Sequence, residues 1–361
     1  MIKLLHAADL HLDSPFSALP PQQAAERRAA QRAQLGEIVS LCNDEACDLL
    51  LLSGDLFDSD NAYADTIESL VRALSVCRAR VFISPGNHDY YSARSPYALT
   101  RWPDNVHIFT KNAVESVVLP ELGCEVYGAA FTGPNAPALL SGFHVRDEGL
   151  LNLMVLHGDA ASPASPYDPI ARSDIERSGL DYLALGHIHA RQMPEKLGRT
   201  YFAWPGCPMG RGFDETGEKG FLIGSVGSGR CEMAFSPLPG PRYEILRVPA
   251  GDDPEAAVRA ALPDGAETVI ARVILTGESG EIDTRALHRA LSPLFYSLTL
   301  RDETVPKREL WADADGDTLR ALYLRTLKAA MDDAPEEEKA RFALAARLGL
   351  DVMDGREVPE P

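Results

Sequence analysis

Short apolar runs alternate with longer amphipathic stretches along the first 190 residues of the chain. Apolar runs of about four to eight residues are typical of buried strands, whereas apolar residues at every third or fourth position indicate helices. Strands are predicted at Ile2–Ala7, Asp48–Ser53, Arg80–Ser84, Leu151–Leu156 and Asp181–Leu185, and helices at Pro21–Asn43, Ala62–Cys77 and Ala171–Arg177. This alternation predicts an α/β core with largely buried strands.

Short alternating segments between residues 106 and 128 and again between 201 and 235 predict further strands. The Pro/Gly-rich stretch Ser236–Pro241 is typical of a domain boundary. A strand–helix–strand–helix–strand pattern follows at Tyr243–Val248, Pro254–Ala261, Thr268–Thr276, Asp283–Leu291 and Tyr296–Leu300. We therefore predict a large domain over residues 1–238, a small domain over 242–305 and a helical segment over 306–361.

Two amphipathic helices are predicted in the last segment, at Asp317–Met331 and Pro335–Leu348, with Gly349 as the stop signal of the second. Apolar residues recur at helical spacing in the first of them, at Leu319, Leu322, Tyr323, Leu327 and Ala330. Two interpretations stay open. These faces either pack on the rest of the chain or dock onto a partner protein.

Composition and charge narrow the class of protein. Hydrophobic residues make up 45% of the 361 residues, yet the sequence contains no run of ~20 apolar residues such as a membrane span requires. The first residues do not resemble a signal peptide, and six scattered cysteines indicate reduced thiols, so a cytoplasmic protein without membrane contact is expected. The net charge of −18 argues against a large basic surface for nucleic acid.

Polar motifs follow the predicted strands at their carboxyl ends. They are Asp9-Leu10-His11, Gly54-Asp55-Leu56-Phe57-Asp58, Gly86-Asn87-His88-Asp89, His157-Gly158-Asp159 and Gly186-His187-Ile188-His189. Each motif alone could be an ordinary turn or helix cap. Because strand carboxyl ends converge on one crevice, the ordered set predicts a shared site. Carboxylate, imidazole and amide oxygens suit manganese, iron or zinc.

This array of motifs resembles the calcineurin-like metallophosphoesterase superfamily. The segments Leu185–Gln192 (LGHIHARQ) and Pro205–Gly220 (PGCPMGRGFDETGEKG) resemble the SbcD and YhaO type of DNA repair exonuclease. The resemblance implies two packed mixed β-sheets flanked by helices, a small α+β capping domain and C-terminal helices. It also implies two divalent metal ions, with manganese as the first choice and iron or zinc as alternatives.

The resemblance implies a role for each matching residue. The first metal ion would be held by Asp9, His11, Asp55 and His189, and the second by Asp55, Asn87, His157 and His187. The Asp55 carboxylate would bridge the two ions. His88 would act as an acid or transition-state stabiliser, and the carboxylate of Asp58 would orient it. Independently of the resemblance, the position of Arg211 and Lys219 in the segment GRGFDETGEKG predicts contact with a substrate phosphate, although a solvated charged loop is nearly as good an explanation of both.

Three functions follow from these observations. The first is a metal-dependent phosphodiesterase that hydrolyses DNA as an exonuclease or endonuclease in repair. The second is a phosphoesterase of the same superfamily acting on a nucleotide, sugar-nucleotide or other small phosphoester, which the acidic net charge favours. The third is a non-catalytic scaffold, which has no need of the full set of motif residues. The expected partners are DNA, a coiled-coil SbcC-like ATPase subunit and a second copy of the chain.

Overall fold

The computed structural model describes residues 1–17, 19–59, 62–306 and 310–355. Residues 307–309 and 356–361 of the predicted helical segment lie outside the described residues. Contacts within the chain separate two units. The first consists of Met1–Leu246, Pro263–Arg272 and Ser292–Thr299, and the second of Arg247–Leu262, Val273–Leu291 and the described residues from Leu300 onward.

The strands and helices lie close to the positions that the apolar pattern predicts. The strands are β1 Ile2–Ala7, β2 Leu49–Leu52, β3 Arg80–Ile83, β4 Val106–Ile108, β5 Glu115–Leu119, β6 Cys124–Gly128, β7 Leu151–His157, β8 Tyr182–Gly186, β9 Gln192–Leu197, β10 Thr200–Trp204, β11 Gly220–Gly227, β12 Arg230–Pro237, β13 Arg242–Pro249, β14 Val269–Thr276, β15 Glu278–Ser279, β16 Ser297–Asp302 and β17 Val305–Pro306. The helices are α1 Pro21–Asp44, α2 Ala64–Ser75, α3 Pro96–Leu99, α4 Arg172–Arg177, α5 Pro254–Ala260, α6 Thr284–Leu291, α7 Leu319–Asp332 and α8 Glu336–Met353.

Two six-stranded mixed sheets form the core of the first unit. The first has the order β12-β11-β1-β2-β3-β4, in which β1 to β4 are parallel neighbours and β11 is antiparallel to β1. The second has the order β5-β6-β7-β8-β10-β9, in which β6, β7, β8 and β10 are parallel and the two edge strands are antiparallel. The predicted fold class, two mixed sheets flanked by helices with further helices at the C-terminus, is confirmed.

Alternating residues of the central strands explain why helices cover the outer faces. In β2, Leu50 and Leu52 pack in a cluster with residues of α1 and α2, whereas Leu49 and Leu51 pack in a second cluster with residues of the other sheet. Strand β7 repeats the arrangement, because Leu153 and Val155 join the cluster between the sheets and Met154 and Leu156 join a third cluster with α4. A strand that is apolar on both faces therefore occupies the middle of a four-layer structure.

The predicted strand–helix pattern after residue 241 is also present. A three-stranded sheet has the order β13-β14-β16, and α5 and α6 lie between these strands in the sequence. Helix α5 begins with a side-chain cap, in which the Asp253 carboxylate accepts a hydrogen bond from the Ala256 amide. The division into domains at residues 238, 242 and 305 remains a prediction. No helix in the described ranges is long and apolar enough to cross a membrane.

The predicted end of the last helix is wrong. Helix α8 continues through Gly349 to Met353, and the left-handed residue that follows it is Gly355, with φ of +68°. At Gly349 an added Cβ would lie 2.2 Å from the Tyr323 hydroxyl, which donates a 2.6 Å hydrogen bond to the Ala345 carbonyl. Gly349 is therefore needed for close packing of α7 against α8, not as a stop signal.

Two glycines inside helices give a matched test of this interpretation. Gly36 lies on the exposed side of α1 and an added Cβ would meet nothing within 4 Å. We expect Gly36→Ala to stabilise the protein by ~0.5–1 kcal/mol. We expect Gly349→Ala to destabilise α7 and α8 by ~1–3 kcal/mol, because Tyr323 must move.

Denaturant unfolding followed by circular dichroism would measure both changes. Adding Tyr323→Leu to Gly349→Ala should recover part of the loss, since the clashing ring is then absent. Equal effects of the two glycine substitutions would contradict the packing explanation.

Candidate metal centre

The loops after the central strands contain backbone conformations that side chains normally avoid. Asp9, His11, Asp55 and His187 have φ of +54°, +43°, +49° and +91°. Positive φ is uncommon for residues other than glycine, and such conformations cost about 1–3 kcal/mol each unless the surroundings impose them. All four are residues that the motifs predict to be metal ligands. Four of the eight described residues other than glycine with positive φ thus lie at predicted ligand positions, a share that supports a functional site.

Glycines of the same motifs allow these side chains to approach one another. An added Cβ at Gly54, which has φ of +82°, would lie 2.4 Å from Nδ1 of His157. An added Cβ at Gly86 would lie 2.2 Å from Oδ1 of Asp55. Both distances are far below van der Waals contact. The glycines therefore provide the space that the converging carboxylate and imidazole groups occupy.

The carboxylate of Asp55 lies at the centre of the site. Its Oδ2 is 3.4 Å from Nε2 of His157 and 3.6 Å from Nε2 of His11, and its Oδ1 accepts a 3.0 Å hydrogen bond from the His88 amide. Burial alone would raise the Asp55 pKa, but His157, His11 and His88 together lower it well below its ordinary value. Asp55 is therefore an anion placed between two groups of histidines, as a bridging ligand requires.

One group of side chains contains Asp9, His11 and His189, whose ligand atoms lie within 4.8 Å of one another. Nε2 of His11 is 3.2 Å from Nε2 of His189, and Oδ1 of Asp9 is 3.9 Å from the same His189 atom. Two imidazole nitrogens that face each other at this distance repel through their lone pairs unless a cation or a proton lies between them. This arrangement fits a bound metal ion.

A second group contains Asp9, Asp55 and His157. Nδ1 of His157 lies 3.0 Å from the Ser53 carbonyl oxygen, which can only accept, so His157 donates there and turns Nε2 toward the site. Oδ1 of Asn87 lies 2.9 Å from that Nε2. Burial would lower the His157 pKa, but Asp55 and Asp9 raise it to about 9. Asp55 and Asp9 thus favour a positive charge at His157, where a metal ion would bind.

The predicted ligand His187 lies against this second group. Its ring centroid is 5.2 Å from that of His157, and Tyr167 packs on it with a ring separation of 5.1 Å. The His187 amide donates to both oxygens of Asp9, at 3.0 and 3.2 Å. The structure thus brings the predicted ligands together, and their donor atoms suit borderline divalent ions. Their individual ligand roles remain a prediction.

His88 differs from the other histidines of the site because it is exposed. Its Nδ1 lies 3.1 Å from the main-chain oxygen of Asp58, which fixes Nδ1 as the donor and leaves Nε2 available. Among the described residues no hydrogen bond joins His88 to the Asp58 carboxylate, although ligand atoms of His88, Asp58 and His11 lie within 4.8 Å of one another. That carboxylate instead accepts hydrogen bonds from Ser14 and Arg211, both 2.9 Å long, and lies 3.2 Å from Nδ1 of His11. The role of the Asp58 carboxylate in orienting His88 remains a prediction.

Glu215 is a site residue that the sequence analysis missed. Its side chain is 5% exposed, and its Oε1 lies 2.7 Å from Nδ1 of His189. Because a carboxylate accepts, His189 donates from Nδ1 and presents Nε2 to His11. Burial would raise the Glu215 pKa, but hydrogen bonds from His189 and Arg211 lower it. Three acidic residues occur in the segment GRGFDETGEKG, and no spacing rule distinguishes Glu215 from the other two.

The two predicted substrate-binding residues have partners inside the chain. Arg211 pairs with Asp58 at 2.9 Å and with Glu215 at 2.8 Å, and its side chain is 21% exposed. Nζ of the half-buried Lys219 lies 3.5 Å from the His189 carbonyl oxygen. Both residues therefore adjoin the site, and their contact with a substrate remains a prediction.

Other acidic neighbours of the motifs support the loops. Asp89 is buried and accepts hydrogen bonds from the amides of Leu56, Phe57 and Gly86, which ties the Asp55 loop to the His88 loop. Asp13 accepts hydrogen bonds from the Tyr63 amide and the Thr66 hydroxyl at the start of α2, and Asp159 accepts hydrogen bonds from the amides of its own turn.

Comparison with known proteins supports the assignment of the site. A family model described as calcineurin-like phosphoesterase matches residues 2–191. The chain is similar to the uncharacterized metallophosphoesterase YhaO of Bacillus subtilis, with 32% identity over 65% of this chain and 60% of that protein. It is also similar to the DNA double-strand break repair protein Mre11 of Saccharolobus solfataricus, with 25% identity over 62% of this chain and 60% of that protein.

A further relative is a subunit of the nuclease SbcCD of Bacillus subtilis, with 25% identity over 60% of this chain and 64% of that protein. The chain thus spans about three fifths of the length of these relatives. The predicted family and enzyme class are confirmed by the family match, which covers more than half of the 361 residues. This family uses a dinuclear metal site, and the groups of Asp and His side chains described above are able to bind metal.

The Glu215 contact predicts a measurable loss of metal affinity. Glu215→Gln preserves the shape of the side chain but removes the charge that holds His189 and Arg211. We expect manganese to bind ~10- to 100-fold more weakly at the group containing His189, as is usual when the partner of a ligand histidine is replaced. Isothermal titration with manganese would measure the change.

The control is Asp214→Asn, an exposed acidic neighbour in the same segment. Its manganese affinity should match that of the wild type. If the two variants bind manganese equally well, the orienting role of Glu215 is wrong.

Proposed function

This chain belongs to the calcineurin-like phosphoesterase family, and we propose that it hydrolyses DNA phosphodiester bonds with two manganese ions as cofactors. The observation that carries this proposal is the position of an exposed imidazole, His88, beside the buried Asp55 carboxylate and two groups of inward-facing ligands. A phosphate that reaches this crevice meets positive charge and a proton donor together.

The ligands divide between the two ions as the motifs predict. Asp9, His11, Asp55 and His189 would hold the first ion, and Asp55, Asn87, His157 and His187 would hold the second. When bound, such a pair of ions polarises the phosphoryl group and supplies the activated water that attacks phosphorus. The chain fixes the orientation of two of the histidine ligands. Ser53 and Glu215 accept from Nδ1 of His157 and His189, so both rings present Nε2.

His88 is the residue that acts on the substrate. Its amide is held by Asp55 and its Nδ1 by the Asp58 carbonyl, so the ring has a defined direction. Protonated His88 donates from Nε2 to a phosphoryl oxygen or to the leaving oxygen. Asp58 serves this arrangement in two ways, because its carbonyl orients His88 and its carboxylate pairs with Arg211.

Two relatives support DNA as the substrate, because one is a DNA double-strand break repair protein and the other a nuclease subunit. We propose that the present chain likewise acts in DNA repair, with a coiled-coil SbcC-like ATPase as its partner. Apolar side chains of α7 and α8 are more than half exposed and support a partner surface there: Leu319, Leu322, Leu344 and Val352. Such a partner would supply positive charge that this acidic chain lacks.

The alternative function is hydrolysis of a small phosphoester. The net charge of −18 favours it, because a nucleotide experiences less of the overall negative field than a DNA duplex does. The family, its metal ions and the role of His88 are the same for both substrates. Relative rates on end-labelled DNA, nucleotides and an aryl phosphodiester therefore decide between them.

Two substitutions separate metal binding from proton donation. Asp55→Asn should lose at least one metal ion and at least ~10²-fold in kcat/KM, since the shared anionic ligand is gone. His88→Gln should keep both ions and still lose ~10²–10⁴-fold in kcat/KM. Metal analysis and hydrolysis of an aryl phosphodiester would be measured on the same samples. Equal metal loss in both variants would contradict the metal-binding role of Asp55 and the proton-donating role of His88.

Two single substitutions test the DNA proposal. Lys219→Ala should weaken DNA cleavage, reduce its dependence on log[salt] by about one unit and leave aryl phosphodiester cleavage unchanged. Arg211→Ala should impair both substrates, because Asp58 and Glu215 lose their common partner. The control Lys3→Ala removes a positive charge at the start of β1, away from the strand ends that bear the site. An identical effect of Lys219→Ala on both substrates would remove the local support for DNA.

A further inference from the structure

Helix α1 contains an arginine that is almost completely buried. Arg27 is 2% exposed, and within the described ranges it makes no ion pair with a carboxylate. Its Nη2 donates a 3.0 Å hydrogen bond to the Gly210 carbonyl, and its guanidinium lies 5.5 Å from the centre of the Phe16 ring. Nε is buried without a hydrogen-bond partner among the described residues. The positive charge of Arg27 is therefore compensated only in part.

A buried charge without a counter-ion is costly, and proteins normally pair it or expose it. Burial lowers the Arg27 pKa, yet an arginine side chain remains protonated in proteins. The cation–π contact with Phe16 and one carbonyl offset part of this cost. An anion placed against the guanidinium would offset more, because charge-assisted hydrogen bonds are the strongest that a protein forms.

A cavity of about 310 Å³ adjoins this arginine. Positively charged side chains in its lining are Arg27, Lys219 and Arg242, and among the described lining residues Glu218 is the one carboxylate. Arg242 has its own acidic partner, Glu244, at 2.5 Å. The rest of the wall comes from Pro237–Pro241, Pro208–Gly210, Gln34 and Thr268. An added Cβ at Gly240 would lie 4.0 Å from Nη1 of Arg27, so this nitrogen is near the cavity wall.

We propose that this cavity is an oxoanion-binding site, with the phosphate group of a small molecule as its ligand and Arg27 as its principal contact. Arginine suits phosphate because its planar fork of donors matches the phosphate oxygens. A volume of 310 Å³ is several times that of a water molecule and leaves room for an organic group against Met209 and Leu238. Arg27 and Glu218 take no part in the proposed hydrolysis, and Lys219, which lines the cavity and is also the proposed DNA contact, is left unchanged in the test.

The chain connects the cavity to the metal centre over short distances. Arg27 holds the carbonyl of Gly210, and the next residue, Arg211, holds Asp58 and Glu215. Lys219 contributes to the cavity wall while its Nζ lies 3.5 Å from the His189 carbonyl oxygen. An anion in the cavity thus contacts the segment that positions His189, Asp58 and Glu215.

The test measures binding of inorganic phosphate to the full chain in the absence of added metal, by isothermal titration at constant ionic strength. Arg27→Met removes the charge and preserves most of the apolar stem. It should weaken phosphate binding ~10- to 100-fold, the equivalent of losing one or two hydrogen bonds to a charged group. The matched control is Arg28→Met, which removes a half-buried neighbouring arginine that does not line the cavity.

A second variant keeps the proposal testable if Arg27→Met fails to fold. Glu218→Gln removes the carboxylate of the lining and should tighten phosphate binding, while the control Glu121→Gln removes an exposed carboxylate outside the lining and should not change it. Unaltered affinity in Arg27→Met places the phosphate elsewhere and overturns the proposal. If Arg27→Met does not fold, unaltered affinity in Glu218→Gln overturns it instead.

Discussion

The face-to-face packing of the two six-stranded sheets is the constraint on which the metal centre depends. Leu49 and Leu51 of one sheet share a buried cluster with Leu153 and Val155 of the other. This packing places the carboxyl ends of β1, β2 and β3 beside those of β7 and β8. Each ligand is therefore positioned by a strand with both faces buried, and the geometry of the site is as rigid as the core beneath it.

Bringing several carboxylates and imidazoles close together costs free energy. Unusual backbone conformations and glycines make the close approach possible. Four ligand positions adopt positive φ, and glycines leave space next to Asp55 and His157. Second contacts then fix the direction of each imidazole, through Ser53 for His157 and Glu215 for His189. The free energy of folding thus stabilises an arrangement of lone pairs that is unfavourable until a cation joins it.

Local pattern was enough to predict the central strands and the order of the motifs, because buried strands are continuous apolar runs and ligands follow their ends. The local pattern gave missing or wrong predictions where a residue distant in sequence determines the local structure. Strand β9 was missed, because QMPEKL is polar and contains Pro194, which an edge strand tolerates. In the local sequence Gly349 resembles a stop signal, because that sequence does not reveal its contact with Tyr323. The contacts of Glu215 and of the Asp58 carboxylate depend on Arg211, which local spacing does not relate to either.

The pairing of β1 with β11 has a consequence for biosynthesis. Ile2 lies opposite Val226, so β1 leaves the ribosome long before the strand that pairs its second edge. Contacts of such long sequence separation slow folding, and an unpaired apolar strand edge invites association between chains. The nascent chain therefore carries the Asp9–His11 loop on an incomplete sheet through most of the synthesis of this unit. The sheet that carries Asp9 and His11 is complete only after residues 220–227 have been synthesised.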